Sequence, residues 1–251
     1  MVDHGTMPNR LKATLAILLV VCMASATPAQ TTALASIEAI AGQVEAVGGM
    51  VSVVCSPGME GIVVPLAGAV PGGFFVHALV APLECAGVRE QVVEADMTGR
   101  VAVSALDDAE WLPYESGLLN VVVFAAEALG ESGGGDVFRV LAPLGRGFVR
   151  IGTQTDAPRL VEALRRAGVT TVDPLPGNPA WLTFRKPWPN DIGEWGHHLH
   201  APDNNPVTPD LRVGPPRRLQ WTAGPRWSRN HESAGSLPAM VSAAGRLFAV
   251  I

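Results

Sequence analysis

The sequence predicts an α/β fold: a doubly wound, mainly parallel sheet with helices on both faces. Three observations carry this. Two short, β-branched apolar runs, 101–105 (VAVSA) and 118–124 (LLNVVVF), read as buried strands. Runs of the same kind lie upstream at 50–55 (MVSVVC) and 74–80 (FFVHALV). Between the runs lie segments with helical spacing and short joins, and that alternation favours parallel pairing with both faces covered.

The elements follow in order. Residues 31–47 place Leu34, Ile37, Ala41 and Val44 at helical spacing, with Glu38 and Glu45 off that face. Gly48 and Gly49 form a normal helix stop. The strand at 50–55 leads into Ser56-Pro57-Gly58-Met59-Glu60-Gly61 and an apolar run to Val70 that suits a short helix. Strand, glycine turn and helix together present backbone N–H groups to a nucleotide-like ligand, although Pro57 removes one of them. The strand at 74–80 follows, carrying His77, which reads as a satisfied core histidine. Residues 83–95 suit a crossover helix, and Gly99 begins the turn into the strand at 101–105. After the strand at 118–124 come Glu127, a glycine run at 133–135 and the run VFRVLAP at 137–143. Residues 148–151 read as a strand, 158–167 as an amphipathic helix stopped by Gly168, and 169–172 and 181–186 as the last strands.

Composition bounds the function classes. With 251 residues, 48% hydrophobic and 16% charged, the chain can bury one full domain and something smaller. Its net charge of −5 gives no footprint for nucleic acid. Charge and composition shift after residue 180: that part carries a surplus of three positive charges, five of the six Trp and four of the six His. A domain boundary is therefore expected at 174–180. Cys22, Cys55 and Cys85 show no zinc spacing and no disulfide framework. Cys55 and Cys85 read as small core groups, with pairing left open. Residues 1–26 have the form of an export signal: Arg10 and Lys12, an apolar run at 13–23, then Ala24-Ser25-Ala26. An amphiphilic anchor is the alternative. The apolar run is short for a membrane span, so none is expected in the mature chain.

The order strand, Asp108-Ala109-x-x-Leu112-Pro113-Tyr114, spacer, Asn120-Val-Val-Val resembles the middle of class I (type 11-like) S-adenosylmethionine-dependent methyltransferases. Residues 137–143 (VFRVLAP) resemble that family's short helix ending in RVLAPGG, with one glycine displaced. The resemblance implies a Rossmann-like domain over 31–180 and S-adenosylmethionine as cofactor. It implies that Asp108, with Ala109 beside it, holds the adenine. Ser56, Gly58 and Gly61 would let the backbone approach the methionine part, and Glu127 would lie near the acceptor, a small molecule or a protein. The family ends its second strand with an acid that binds both ribose hydroxyls; this chain has Val80 there. The turn keeps two of the family's three glycines. No nucleophilic side chain and no metal is required, because methyl transfer from a sulfonium needs mostly alignment and desolvation.

Residues 186–251 are a different object. The run KPWPNDIGEWGHHLH, then VGPPRRLQW and PRWSR, resembles the entrance of exported quinoprotein-like (pyrroloquinoline-quinone repeat) β-propellers. Residues 240–250 resemble the first hairpin of a blade. The resemblance makes 181–251 a linker with the first strands of a propeller that the chain does not complete. Adjacent His197 and His198, with His200, suit a structural role better than a metal. Arg217, Arg218, Arg226 and Arg229 suit stacking on Trp221 and Trp227 within such a propeller. Three readings follow: a methyltransferase; a non-catalytic methyltransferase-like front module of an exported propeller protein; and a quinone-dependent dehydrogenase whose chemistry lies in blades absent here.

Overall fold

The computed structural model describes residues 28–106, 111–128, 133–152, 157–203, 205–212, 240–243 and 246–249. Helix α1 (Pro28–Gly42) leads to strand β1 (Gly48–Val54); a 3-10 turn (Glu60–Ile62) and α2 (Val63–Ala69) lead to β2 (Gly73–Val80). A second 3-10 turn (Pro82–Glu84) and α3 (Cys85–Glu94) lead to β3 (Val101–Ala105). Then come β4 (Leu119–Ala125), α4 (Gly133–Val140), β5 (Leu141–Arg150), α5 (Ala157–Arg166), β6 (Val172–Leu175) and β7 (Asn178–Arg185). A separate hairpin pairs β8 (Met240–Ala243) with β9 (Arg246–Ala249).

The main sheet has seven strands in the order β3-β2-β1-β4-β5-β7-β6. Strands β1 to β5 pair in parallel, and β7 is antiparallel to both β5 and β6. The expected doubly wound, mainly parallel sheet is therefore present. Its strands are apolar on both sides because both faces are covered. On one face, Val51 and Val53 of β1 pack with Val76, Ala78 and Val80 of β2 against Ile37 and Ile40 of α1, Leu66 of α2 and Val88 of α3. On the other, Val54, Val122 and Phe124 pack against Val137 and Val140 of α4 and Leu164 of α5.

Several boundaries differ from the sequence reading, each for a local reason. Helix α1 stops at Gly42, where Gln43 and Val44 donate to Ile40 and Ala41 in a tightened last turn. Gly48 and Gly49 open β1 instead of ending the helix, because they pair with Gly73 and Phe74 of β2. Strand β5 starts at Leu141 rather than at 148, since α4 ends at Val140 and the Ala-Pro-Leu-Gly stretch continues directly into the strand. The strand expected at 169–172 is displaced to β6 at Val172–Leu175. The boundary expected at 174–180 falls inside the sheet: β6 and β7 form a hairpin that pairs with β5 through Arg185. The sheet domain therefore continues to Arg185. Lys186 then locks the exit, its ammonium donating to the Phe138 and Leu141 carbonyls at 2.7 and 2.6 Å where α4 ends.

No helix among the described residues is long and apolar enough to cross a membrane. Among them, too, no three His, Cys, Asp or Glu side chains converge as a metal site would require. His197 and His200 form an isolated β-bridge, and the His200 ring packs edge-on against Trp195.

Candidate functional site

The chain reverses its winding between β1 and β4: β2 and β3 lie on one side, β5, β7 and β6 on the other. Ligands of such sheets lie beyond the carboxyl ends of the strands at this switch point. The end of β1 is built for close approach. Cys55 N–H still bonds Leu79 of β2, and residues 56–59 then make a tight turn closed by Met59 N–H on Ser56 C=O at 2.9 Å. Pro57 sits at the second position, and Gly58 takes a φ of +83° at the third. That is the geometry of a type II turn, which demands glycine there. Open space surrounds the places where a Cβ would stand at Gly58 and Gly61.

Three side chains meet over this turn, each from a different strand end. Arg150 closes β5, Glu127 follows β4 and Ser56 follows β1. Arg150 Nη2 donates to Ser56 Oγ at 2.9 Å and to Glu127 Oε1 at 2.8 Å. Ser56 Oγ in turn donates to Glu127 Oε1 at 3.3 Å. Burial pushes the Glu127 carboxyl up, but its own backbone N–H, Arg150 and Ser56 outweigh this and hold it below the ordinary value. Glu127 is ionised at neutral pH, and the cluster offers one anion and one cation side by side. Cys55 lies beside it, yet burial raises its thiol to about 12, so it is no thiolate nucleophile.

Of the residues singled out in the sequence, the structure joins Ser56 and Glu127 directly and sets Gly58 and Gly61 at the turn beside them. Arg150 escaped the sequence reading. Its signal is a charged residue ending an apolar strand, Phe148-Val149-Arg150, at the same sheet edge as Ser56. Val80 is fully buried in the core against the helices, not open to this edge. Asp108 and Ala109 lie outside the described residues.

The segment that follows them is firmly held. Asp136 of α4 accepts from Leu112 N–H at 2.6 Å and from Arg139 Nε at 2.5 Å. Arg139 donates onward to the Tyr114 and Leu112 carbonyls at 2.6 and 3.0 Å and covers the Trp111 ring at 4.0 Å. The Tyr114 hydroxyl donates to Ser52 of β1 at 2.8 Å and bonds His77 Nδ1 at 2.9 Å. His77 Nε2 bonds Ser104 of β3 at 2.9 Å. A buried polar chain thus crosses β1, β2 and β3 and pins Tyr114 to the sheet. His77 is satisfied on both nitrogens, as a core histidine should be.

Burial holds the His77 imidazole below its usual value, so it is neutral in the fold and charges more readily in the unfolded chain. The stability it supplies is present above about pH 6.5, the unfolded value, and is lost as pH falls from there through the lowered folded value. Urea midpoints at pH 7.5 and 5.5 should therefore fall in the wild type and fall less in His77→Gln. An equal fall in both would refute the assignment.

No family model matches the chain, and no curated protein is significantly similar to it. Solved structures do share its fold. A Methanococcus maripaludis protein, described as a candidate S-adenosyl-L-methionine-dependent methyltransferase, superposes with a TM-score of 0.50 at 16% identity, over 64% of this chain and 90% of that one. An S-adenosylmethionine-dependent O-methyltransferase from Thermotoga maritima gives 0.49 at 14% identity, over 62% of this chain and 66% of that one. The fold is the Rossmann-like methyltransferase fold. At such identities the likeness establishes architecture, and the chemistry must be argued from the site.

Proposed function

We propose that the chain is an S-adenosylmethionine-dependent methyltransferase-like protein with a reduced cofactor pocket, acting on a small-molecule acceptor. The observation that carries this is the cluster of Ser56, Glu127 and Arg150 over the Gly58 turn, at the switch point of a methyltransferase-type sheet. An α-amino acid end needs a cation for its carboxylate and an anion for its ammonium, and Arg150 and Glu127 supply both. Gly58 lets the backbone approach, as Gly61 does one turn later. S-adenosylmethionine, when bound, supplies a methyl group on a positively charged sulfur. The chain's own work is then to orient the cofactor and exclude water. In this reading Asp108 and Ala109 take the adenine, as the sequence resemblance implies.

Arg150 and Glu127 suit the amino-acid end, whereas the ribose end lacks its carboxylate. Val80 is buried, the preceding Leu79 is equally buried, and Ala81 follows, so no carboxylate closes β2 to meet a ribose diol. This supports a second reading, a non-catalytic front module of an exported quinoprotein-like propeller protein, with residues 1–26 as export signal and 240–249 as the start of a blade.

Calorimetry of the full chain with S-adenosylmethionine separates the two. The first reading expects weak saturable binding, and Arg150→Gln should weaken it by roughly 10- to 100-fold, the range for a hydrogen bond to a charged group. No binding by the wild type would remove the first reading and leave the second.

A further inference from the structure

The opposite, amino edge of the sheet holds a cavity of about 470 Å³, inside the size range of small-molecule sites. Its floor is the loop before β1 and the starts of β4 and β5. Its outer wall is the tail, through Trp188 and Arg246. The tail folds back on itself to reach there: Ser242 N–H donates to Trp195 C=O at 2.8 Å, and Trp195 N–H to Ser242 Oγ at 3.1 Å.

The charge inside is unbalanced. Among the described residues, Glu45 is the single carboxylate on the lining, against Arg146, Arg185 and Arg246. Arg146 and Arg185 share that one carboxylate, at 2.8 and 3.3 Å, and are thereby held in place. The described lining therefore keeps a surplus of two positive charges. The rest of the lining is largely apolar and includes Trp188, Val121 and Pro143. Guanidinium forks match carboxylate and phosphate oxygens, and an apolar wall rewards a ring or chain attached to them. A bare phosphate would leave most of this volume unfilled.

We propose that this cavity binds an organic anion, a carboxylate or phosphate monoester carried on an aromatic or aliphatic body. The site lies across the sheet from the Gly58 turn and stands independently of the cofactor reading.

The test uses the full chain with phenyl phosphate and benzoate as probes, and inorganic phosphate and benzyl alcohol as controls, by calorimetry. One of the two probes should bind with one-to-one stoichiometry and at least tenfold more tightly than either control. Arg246→Gln sits on the hairpin, outside the main sheet, and should weaken that probe about tenfold while leaving the unliganded melting temperature unchanged. Should that variant fail to fold, Trp188→Leu reads the same cavity from the linker side and should lower probe affinity without changing the response to inorganic phosphate. Binding of neither probe overturns the proposal. So does equal binding of inorganic phosphate, or undiminished probe affinity in the folded variants.

Discussion

Replacing Arg139 with alanine should cost about 3–5 kcal/mol of stability, the range for removing one partner of a buried ion pair. Arg139 makes an ion pair and two carbonyl hydrogen bonds, and it covers the Trp111 ring. Its partner Asp136 has a side chain only 4% exposed, so the carboxylate would be left nearly dry with just Leu112 N–H to satisfy it. Two carbonyls of the segment after β3 would lose their donor as well. The expected result is a lower urea midpoint at unchanged slope, because the same surface is still exposed on unfolding. Asp136→Asn should cost less, since the Arg139 cation it leaves behind is partly exposed and keeps its two carbonyl hydrogen bonds. A loss below about 1 kcal/mol in Arg139→Ala would mean the clamp is solvated and the segment is held by Tyr114 alone.

That clamp also shows what could be read in advance. Strand β3 was legible to its end residues, and β1, β2 and β4 to within a residue or two, because parallel strands buried on both faces are continuous β-branched runs; the start of β5 was missed by seven residues, because its first half follows α4 without a break. The Pro57–Gly58 turn was legible for a related reason: those two residues fix backbone angles locally. Pairing over long separation was not. The antiparallel β6–β7 hairpin is set by contacts with β5 and α1 rather than by its own alternation, so its first strand was misplaced and the domain cut too early. Arg150 meets Ser56 across 94 positions, and no local pattern announces a contact of that kind. The amino-edge cavity depends on the tail returning to the sheet, which composition described as a separate object. The RVLAP motif added to the methyltransferase resemblance drawn from residues 108–123; its Arg139 holds the Leu112 and Tyr114 carbonyls to α4.

Val80→Asp should be the most damaging single change at the second strand. Val80 is fully buried in the hydrophobic cluster it shares with Ala78, Leu66 of α2 and Val88 of α3. An aspartate there either ionises without a partner or takes up a proton, and either way an unpaired polar group enters the core at a cost of about 2–5 kcal/mol. Chemical denaturation should show a large loss of stability at pH 7 that shrinks toward pH 4, where the carboxyl is neutral. The change does not simply restore a ribose ligand, although Val80 sits where the resembling family carries one. Ala81 is the next residue; it is exposed and follows the end of β2 in an extended conformation. Ala81→Asp should leave stability within about 0.5 kcal/mol, as surface substitutions usually do. It places a carboxylate on the carboxyl edge at no burial cost. If the ribose is the deficient end of the pocket, Ala81→Asp should tighten S-adenosylmethionine by about tenfold, near the 1.4 kcal/mol that one added hydrogen bond can supply. Tight binding by the wild type, or a stable and well-packed Val80→Asp, would show that this part of the edge is open, and that burial of Val80 does not explain the missing acid.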